Sequence, residues 1–286
     1  MSGSRFTDEV DEVALDDNVP SLIPKILDHA ISKSSYILKV AEDLGAELYL
    51  DCTLQEQTYY DEYIKISHVE ESMKICSSTV DQCGDNWLQY RFGRITGSIC
   101  YGFFTYSKNE NADWPKRLKS TYFSEFKGNA DMYEGNSKAS YQKENPTCSI
   151  VNCGIIINPP VPWLGYSPDG IIFVNGEVAR LFETKTPKCG KFHGKSTICK
   201  NLSYMKDNHL KERHVYYGQV QLGMLLTSLP ICDFTLYSYE FDQVYIDSVP
   251  FNESACLNYV KAWTHVFFKT ILPWLCTQPQ PNSADT

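Results

Sequence analysis

Apolar residues recur at helical spacing from Pro20 to about Leu50. Leu22, Ile23, Ile26, Ala30, Ile31, Ile37, Leu38 and Val40 share a stripe, and Pro20 stands near a start. The pattern predicts helix through this stretch. Residues 1–18 are polar and acidic and are expected to be disordered, while residues 51–80 read as mixed helix and loop. Trp87 to Tyr106 reads as a short helix, a turn and a second helix, with Arg91, Arg94, Thr96 and Ser98 clustered in it. Phe126 to Lys143 reads as another helix. Glu134, Lys138 and Tyr141 fall on one face of it, with Asp131 on the preceding turn.

From there the pattern shortens to strand-length apolar runs. Residues 150–157, Gly170 to Val174 and Val178 to Thr186 read as strands, the last two joined through Asn175-Gly176, a strong hairpin signal. Register decides what this hairpin carries. A plain two-residue turn would set Asp169 opposite Phe182, and Asp169 and Glu183 would then face opposite ways, because side chains alternate along a strand. A three-residue loop over Val174-Asn175-Gly176, or a bulge doing the same job, changes the parity and puts Asp169, Glu183 and Lys185 on one face. The loop or the bulge is the expectation. His209 to Leu229 reads as a helix with an apolar stripe of Val215, Leu222 and Leu226, and Gln219 lies within that stripe. Such an amide needs a partner: either a buried structural hydrogen bond or a place in a site. Residues 233–241 read as a strand, and residues 253–275 as a closing helix rich in aromatics, ending near Pro273.

Composition adds bounds. With 286 residues, 43% hydrophobic and 21% charged, the chain can build a sizeable core. The expected division is an acidic, partly disordered and helical extension over residues 1–75, a main domain over 76–276 and a disordered tail over 277–286. No apolar run reaches the roughly 18 residues of a membrane span, and the N-terminus has the character of neither a signal peptide nor a transit peptide. The 11 cysteines form no CxxC pair and read as reduced, mostly buried thiols of an intracellular protein. Cys189, His193 and Cys199 match no common zinc spacing. The net charge of −9 argues at first against a nucleic-acid partner, but it is unevenly placed. Residues 1–86 hold 18 acids and 6 bases, residues 91–128 hold 7 bases and 3 acids, and residues 185–215 hold 8 bases and 2 acids. Two basic segments in an acidic chain are either solvated loops or a footprint for a polyanion.

Candidate chemistry centres on Pro168-Asp169-Gly170 and Glu183-Thr184-Lys185, acids and a lysine set in and beside apolar strand sequence. Buried charge there is costly unless an ion offsets it. Hard Mg2+ prefers carboxylate, carbonyl and water oxygens. Asp169, Glu183 and the backbone carbonyl of Thr184 suit it, with Glu134 or Asp131 as a further carboxylate. Lys185, two residues beyond Glu183, shares its face and could orient or help deprotonate an attacking water, or stabilise negative charge. An ordinary Glu/Lys pair on a surface hairpin has the same sequence, so the weight lies in the whole set. Arg91 and Arg94 precede Thr96-Gly97-Ser98, a fit for a phosphate cradle or for helix-end ion pairs.

Four blocks in order carry a family resemblance. They are Thr79 to Ser98 with Trp87, Arg91 and Arg94-Ile95-Thr96-Gly97-Ser98; Gly128 to Tyr141 with Glu134, Ala139 and Tyr141; Leu164 to Lys185 with Ser167-Pro168-Asp169-Gly170 and Glu183-Thr184-Lys185; and Tyr216-Tyr217-Gly218-Gln219-Val220-Gln221. Over roughly residues 75–275 the chain resembles the YqaJ-type viral recombinase and lambda-exonuclease branch of the PD-(D/E)XK nucleases. The resemblance implies a restriction-endonuclease-like α/β core, a central mixed sheet flanked by helices. It implies a Mg2+-dependent exonuclease, with Mn2+ able to substitute, that digests one strand of linear duplex DNA 5′ to 3′ from its ends in DNA recombination. In that reading Asp169, Glu183, the Thr184 carbonyl and Glu134 bind metal, Lys185 acts on water, and Gln219 completes the catalytic set. Arg94 and Ser98, with Arg91 beside them, hold a terminal 5′-phosphate. A homo-oligomer and a single-strand annealing partner protein are allowed, and a DNA substrate is compatible with a nuclear location. The alternatives are a catalytically silent DNA-binding or adaptor module on the same fold, and a structure-directed endonuclease.

Overall fold

The computed structural model describes residues 19–33, 35–123 and 132–278. The disorder expected for residues 1–18 and for most of the tail, and the place expected for Asp131, fall outside these residues. The periodic stretch after Pro20 forms two helices, α1 (Val19–Ser32) and α2 (Tyr36–Leu50), the second starting after Ser35, whose backbone is extended. A capping box opens α3 (Leu54–Tyr59): Thr53 accepts from the Glu56 amide and Glu56 from the Thr53 amide. It runs into a π-turn at Tyr60–Ile64 and is followed by α4 (Val69–Ser78). Next come α5 (Asp85–Arg91), β1 (Ile95–Thr96) and α6 (Gly97–Tyr106), the expected helix–turn–helix. The sequence reading missed α7 (Trp114–Tyr122), although Asp113 caps it and proline lies in its first turn.

α8 (Glu134–Glu144) and β2 (Cys148–Val151) precede β3 (Leu164–Gly165), β4 (Gly170–Val174) and β5 (Glu177–Lys185). The strand expected over 150–157 is shorter: past Val151 only Ile156 pairs, singly, with Tyr166. The helix expected from His209 begins at Val215 instead. β6 (Met205–Lys206) and β7 (His209–Leu210) form a small hairpin whose tip, Asp207-Asn208, is left-handed at φ 51° and 66°. His214, extended, then accepts the Tyr216 amide and starts α9 (Val215–Thr227). β8 (Ile231–Ser238) turns at Asp242 into β9 (Gln243–Pro250), a strand the sequence reading missed. α10 (Glu253–Val266), a π-turn at Phe267–Ile271 and α11 (Leu272–Leu275) close the chain.

The five-stranded sheet has the order β2–β4–β5–β8–β9. β5 and β8 are parallel and every other pair is antiparallel, so the sheet is mixed. A parallel pair needs a crossover, and α9 supplies it. One face carries Ile171, Leu181, Cys232, Phe234 and Leu236 against α9. The other carries Ile172, Phe182, Tyr237 and Val244 against Tyr141 of α8. The N-terminal helices join the first of these cores. Ile23, Ile26, Leu38 and Ala41 cluster with Trp163, Leu222, Trp263 and Phe267. Gly45 of α2 approaches Trp163 so closely that a Cβ would lie 2.3 Å from its ring. All 11 cysteines are free thiols. Among the described residues no helix is long and apolar enough to cross a membrane.

Candidate active site

The hairpin of β4 and β5 closes with a two-residue turn: Val174 pairs with Glu177, and Asn175 and Gly176 are left-handed at φ 52° and 79°. The three-residue loop does not form. The parity is changed by a bulge instead. Phe173 pairs with Val178 but Ile172 with Arg180, which leaves Ala179 as the extra residue. The ladder then runs to Gly170 opposite Phe182. One step further, Asp169 stands opposite Glu183, on the face that Lys185 shares.

Glu183 is buried, with 1% of its surface exposed, and both its oxygens are occupied. Oε1 accepts from Lys185 Nζ at 2.6 Å and from Gln219 Nε2 at 2.5 Å, and Oε2 accepts from the Tyr166 hydroxyl at 2.6 Å. The inward amide on α9 is therefore aimed at the ribbon's acid. Asp169 Oδ2 accepts the Thr184 amide at 2.8 Å. The N–H and C=O of one strand residue leave by the same edge, so the Thr184 carbonyl faces the Asp169 edge as well, beyond the last ladder pair.

Burial, and then the nearby Asp169 carboxylate, raise Glu183 to about 7, against the lowering influence of Lys185. Burial alone would lower Lys185. The carboxylates of Glu183 and Asp169 outweigh it and push the lysine above its usual range, so Lys185 is an ammonium at neutral pH. Two acids against one cation leave the cluster short of positive charge. Its free donors are hard oxygens, and both features fit a divalent ion such as Mg2+.

Glu134 is not delivered into this cluster. α8 packs on the other face of the sheet, where Ser137 and Thr184 hydroxyls meet at 2.7 Å. Glu134, one turn earlier, pairs with Lys138, which also donates to Asn152 at 2.8 Å. Among the described residues no group of three or more Asp, Glu, His or Cys side chains is set to hold an ion.

The two arginines separate. Arg94 is buried, and its guanidinium is spent on the backbone: Nε donates to Pro162 O at 2.9 Å, Nη1 to Tyr90 O at 3.0 Å and Nη2 to Ile64 O at 2.7 Å. The expectation that Arg94 holds a terminal phosphate is corrected, because the side chain fastens three segments together inside the protein. Arg91 remains. It is half-buried, lies 4.2 Å over the Trp87 ring and donates to the exposed Ser98 hydroxyl at 3.1 Å. The Trp87 indole donates in turn to Ser167, two residues before Asp169, at 2.9 Å. The sequence reading assigned Tyr166 no role, and Ser167 enters only as part of the Ser167-Pro168-Asp169-Gly170 motif. The signal for Tyr166 was its place beside the Ser-Pro-Asp-Gly motif.

Comparison with known proteins bears on this site. The profile of the YqaJ-like viral recombinase domain matches residues 86–230. No curated protein matched the sequence. An alkaline exonuclease (LHK-Exo) from Laribacter hongkongensis is similar at 20% identity over 67% of this chain and 96% of that one, with a TM-score of 0.48. Its complex with dAMP gives 0.49 at the same identity and shares. A SOX–DNA complex is similar over 93% of this chain and 94% of that one, at 10% identity and a TM-score of 0.44. The profile match spans half of the chain and takes in Trp87, the Asp169–Lys185 ribbon and Gln219, and on it the chain belongs to the YqaJ-like viral recombinase domain family.

Proposed function

We propose that this chain is a divalent-metal-dependent deoxyribonuclease that digests linear duplex DNA from its ends, 5′ to 3′. The observation that carries the reading is the convergence of Asp169, Glu183 and Lys185 on one face of the bulged ribbon, with Gln219 fixing the buried acid. Asp169, Glu183 and the Thr184 carbonyl would hold Mg2+, or Mn2+ in its place; Glu134 would join them only by leaving Lys138. A bound divalent ion lowers the pKa of water and offsets charge on a phosphodiester. Lys185, held above its usual range by the Glu183 and Asp169 carboxylates, would orient the attacking water and stabilise charge on the phosphate. Gln219 and Tyr166 keep the Glu183 carboxylate in one orientation. Arg91 and Ser98, with Ser167 nearby through Trp87, form the candidate cradle for a terminal 5′-phosphate.

The surface beyond Lys185 supports a polyanionic partner despite the net charge of −9. Lys188, Lys191, Lys200, Lys206 and Arg213 are exposed and have no carboxylate partner among the described residues. Phe192, 71% exposed, stands among them as an aromatic platform.

The test is degradation of linear duplex DNA by the purified protein with Mg2+ or Mn2+. Asp169→Ala, Glu183→Ala and Lys185→Ala should each lower the rate by about a thousandfold or more while circular dichroism stays unchanged. Covalently closed circles should survive. Absence of products from linear DNA with every divalent metal tried would leave a DNA-binding module, and cut circles would mean an endonuclease.

A further inference from the structure

Tyr166 is placed with unusual care for a residue that only fills space. Its ring is wholly buried, and its backbone is pinned by reciprocal bonds with Ile156 at 2.7 and 3.0 Å. Two helices make room for it by carrying glycine. A Cβ at Gly97 of α6 would come to 2.8 Å from the Tyr166 ring, and one at Gly223 of α9 to 2.5 Å. Neither glycine has a left-handed backbone, so neither is there for a turn. Gly223 lies inside a helix, where glycine costs about 1 kcal/mol relative to alanine. The slot serves the ring, and the ring ends in a hydroxyl bonded to Glu183 Oε2 at 2.6 Å.

The partners of Glu183 would respond differently to a cation. Lys185 is an ammonium with 23% of its side chain exposed; a divalent ion repels it, and it has somewhere to go. Tyr166 is neutral, enclosed on both sides and not repelled. Gln219, neutral and fixed on α9, keeps one acceptor position of Oε1; the position that Lys185 vacates on the same oxygen is the one an ion can take, and Oε2 stays with the phenol.

We propose that Tyr166 reserves Oε2, so that Glu183 offers one oxygen to a divalent ion, and that this biases the site towards small six-coordinate ions such as Mg2+ and against Ca2+. Mg2+ takes six ligands in near-ideal octahedral order, whereas Ca2+ takes six to eight and often both oxygens of one carboxylate. In a site with few protein donors, denying the second oxygen takes more from Ca2+ than from Mg2+. The inference rests on the reading of Glu183 as a metal ligand.

Tyr166→Phe removes one oxygen and keeps the ring. Full-length wild-type and variant proteins are titrated calorimetrically with Mg2+ and with Ca2+, without DNA, and their metal-dependent melting shifts are recorded. The Ca2+ to Mg2+ affinity ratio should rise about tenfold in the variant, the lower end of the effects seen when a group behind a metal ligand is removed. Gly223→Ala, which displaces the ring and keeps the hydroxyl, should move the ratio the same way and decides the matter if Tyr166→Phe does not fold. An unchanged ratio, or equal losses for both ions as from general loosening, overturns the inference and leaves the metal site standing. A wild-type protein that binds neither ion up to tens of millimolar overturns the metal-site reading, and the inference with it.

Discussion

Arg91 and Arg94 lie three residues apart and look interchangeable in the sequence, yet burial gives them different work. Both are held below the usual arginine range, at about 10, by desolvation. Arg94 spends its guanidinium on three carbonyls from three segments, and no other side chain has that fork. Arg94→Met would leave those carbonyls unpaired in the interior and should cost about 3 kcal/mol or more in urea unfolding, with 5′-end preference among surviving molecules unchanged. Arg91→Ala should do the reverse: near-normal stability, but equal rates on 5′-phosphoryl and 5′-hydroxyl duplexes. If Arg91→Ala keeps its preference while Arg94→Met folds normally and loses it, the two roles have been exchanged.

At the scale of elements, the ribbon that brings Asp169, Glu183 and Lys185 together was the most legible part of the chain. Asn175-Gly176 marks the turn, the apolar runs mark both strands, and alternation shows that a parity change is needed to bring the acids together. Which device makes the change was not legible, because Ala179 has no sequence feature that marks it as a bulge rather than an ordinary strand residue. The start of α9 was misread for a related reason. His209 and Leu210 fit the helical run, but Asp207-Asn208 pull them into a hairpin that long-range packing fixes. Gln219 could be seen to need a partner because it lies in an apolar stripe; its partner could not be seen, since that depends on how the crossover places α9 over β5. Arg94 fails for the same reason as α9, since its three carbonyls come from Ile64, Tyr90 and Pro162, up to 68 residues away in the chain. The bulge can be tested directly. Deleting Ala179 leaves Val174 opposite Glu177 and still brings Gly170 opposite Phe182, so Asp169 and Glu183 stay face to face. The deletion variant should keep its Mg2+-dependent melting shift, whereas inserting one alanine after Ala179 should weaken it or lose it. A folded deletion variant with no metal response would mean that parity does not place the acids.

For the whole molecule, the family's span and the folding unit are different things. The profile match covers residues 86–230 and ends before β8 and β9. It thus omits the parallel partner of β5, against which Glu183 and Lys185 are paired. It also omits α1 and α2, which are not an ornament on the core. Trp163, inside the matched span, is 2% exposed because Gly45 of α2 lies against its ring on one side and Phe267 and Phe268 on others, with centroids at 6.0 and 5.1 Å. Uncovering a tryptophan of about 200 Å² at about 25 cal/mol per Å² costs roughly 5 kcal/mol. Whole domains are stable by only about 5–15 kcal/mol. A fragment of residues 86–230 should therefore show no cooperative unfolding and should bind a hydrophobic dye, whereas residues 19–278 should melt as one unit. Removing residues 1–50 alone should also abolish the transition, since it strips Ile23, Ile26, Leu38 and Ala41 from the core that holds Leu222 of the Gln219 helix. A 51–286 fragment with a sharp melt and intact nuclease activity would show that these helices are an appendage, and that the site stands on the remaining layers alone.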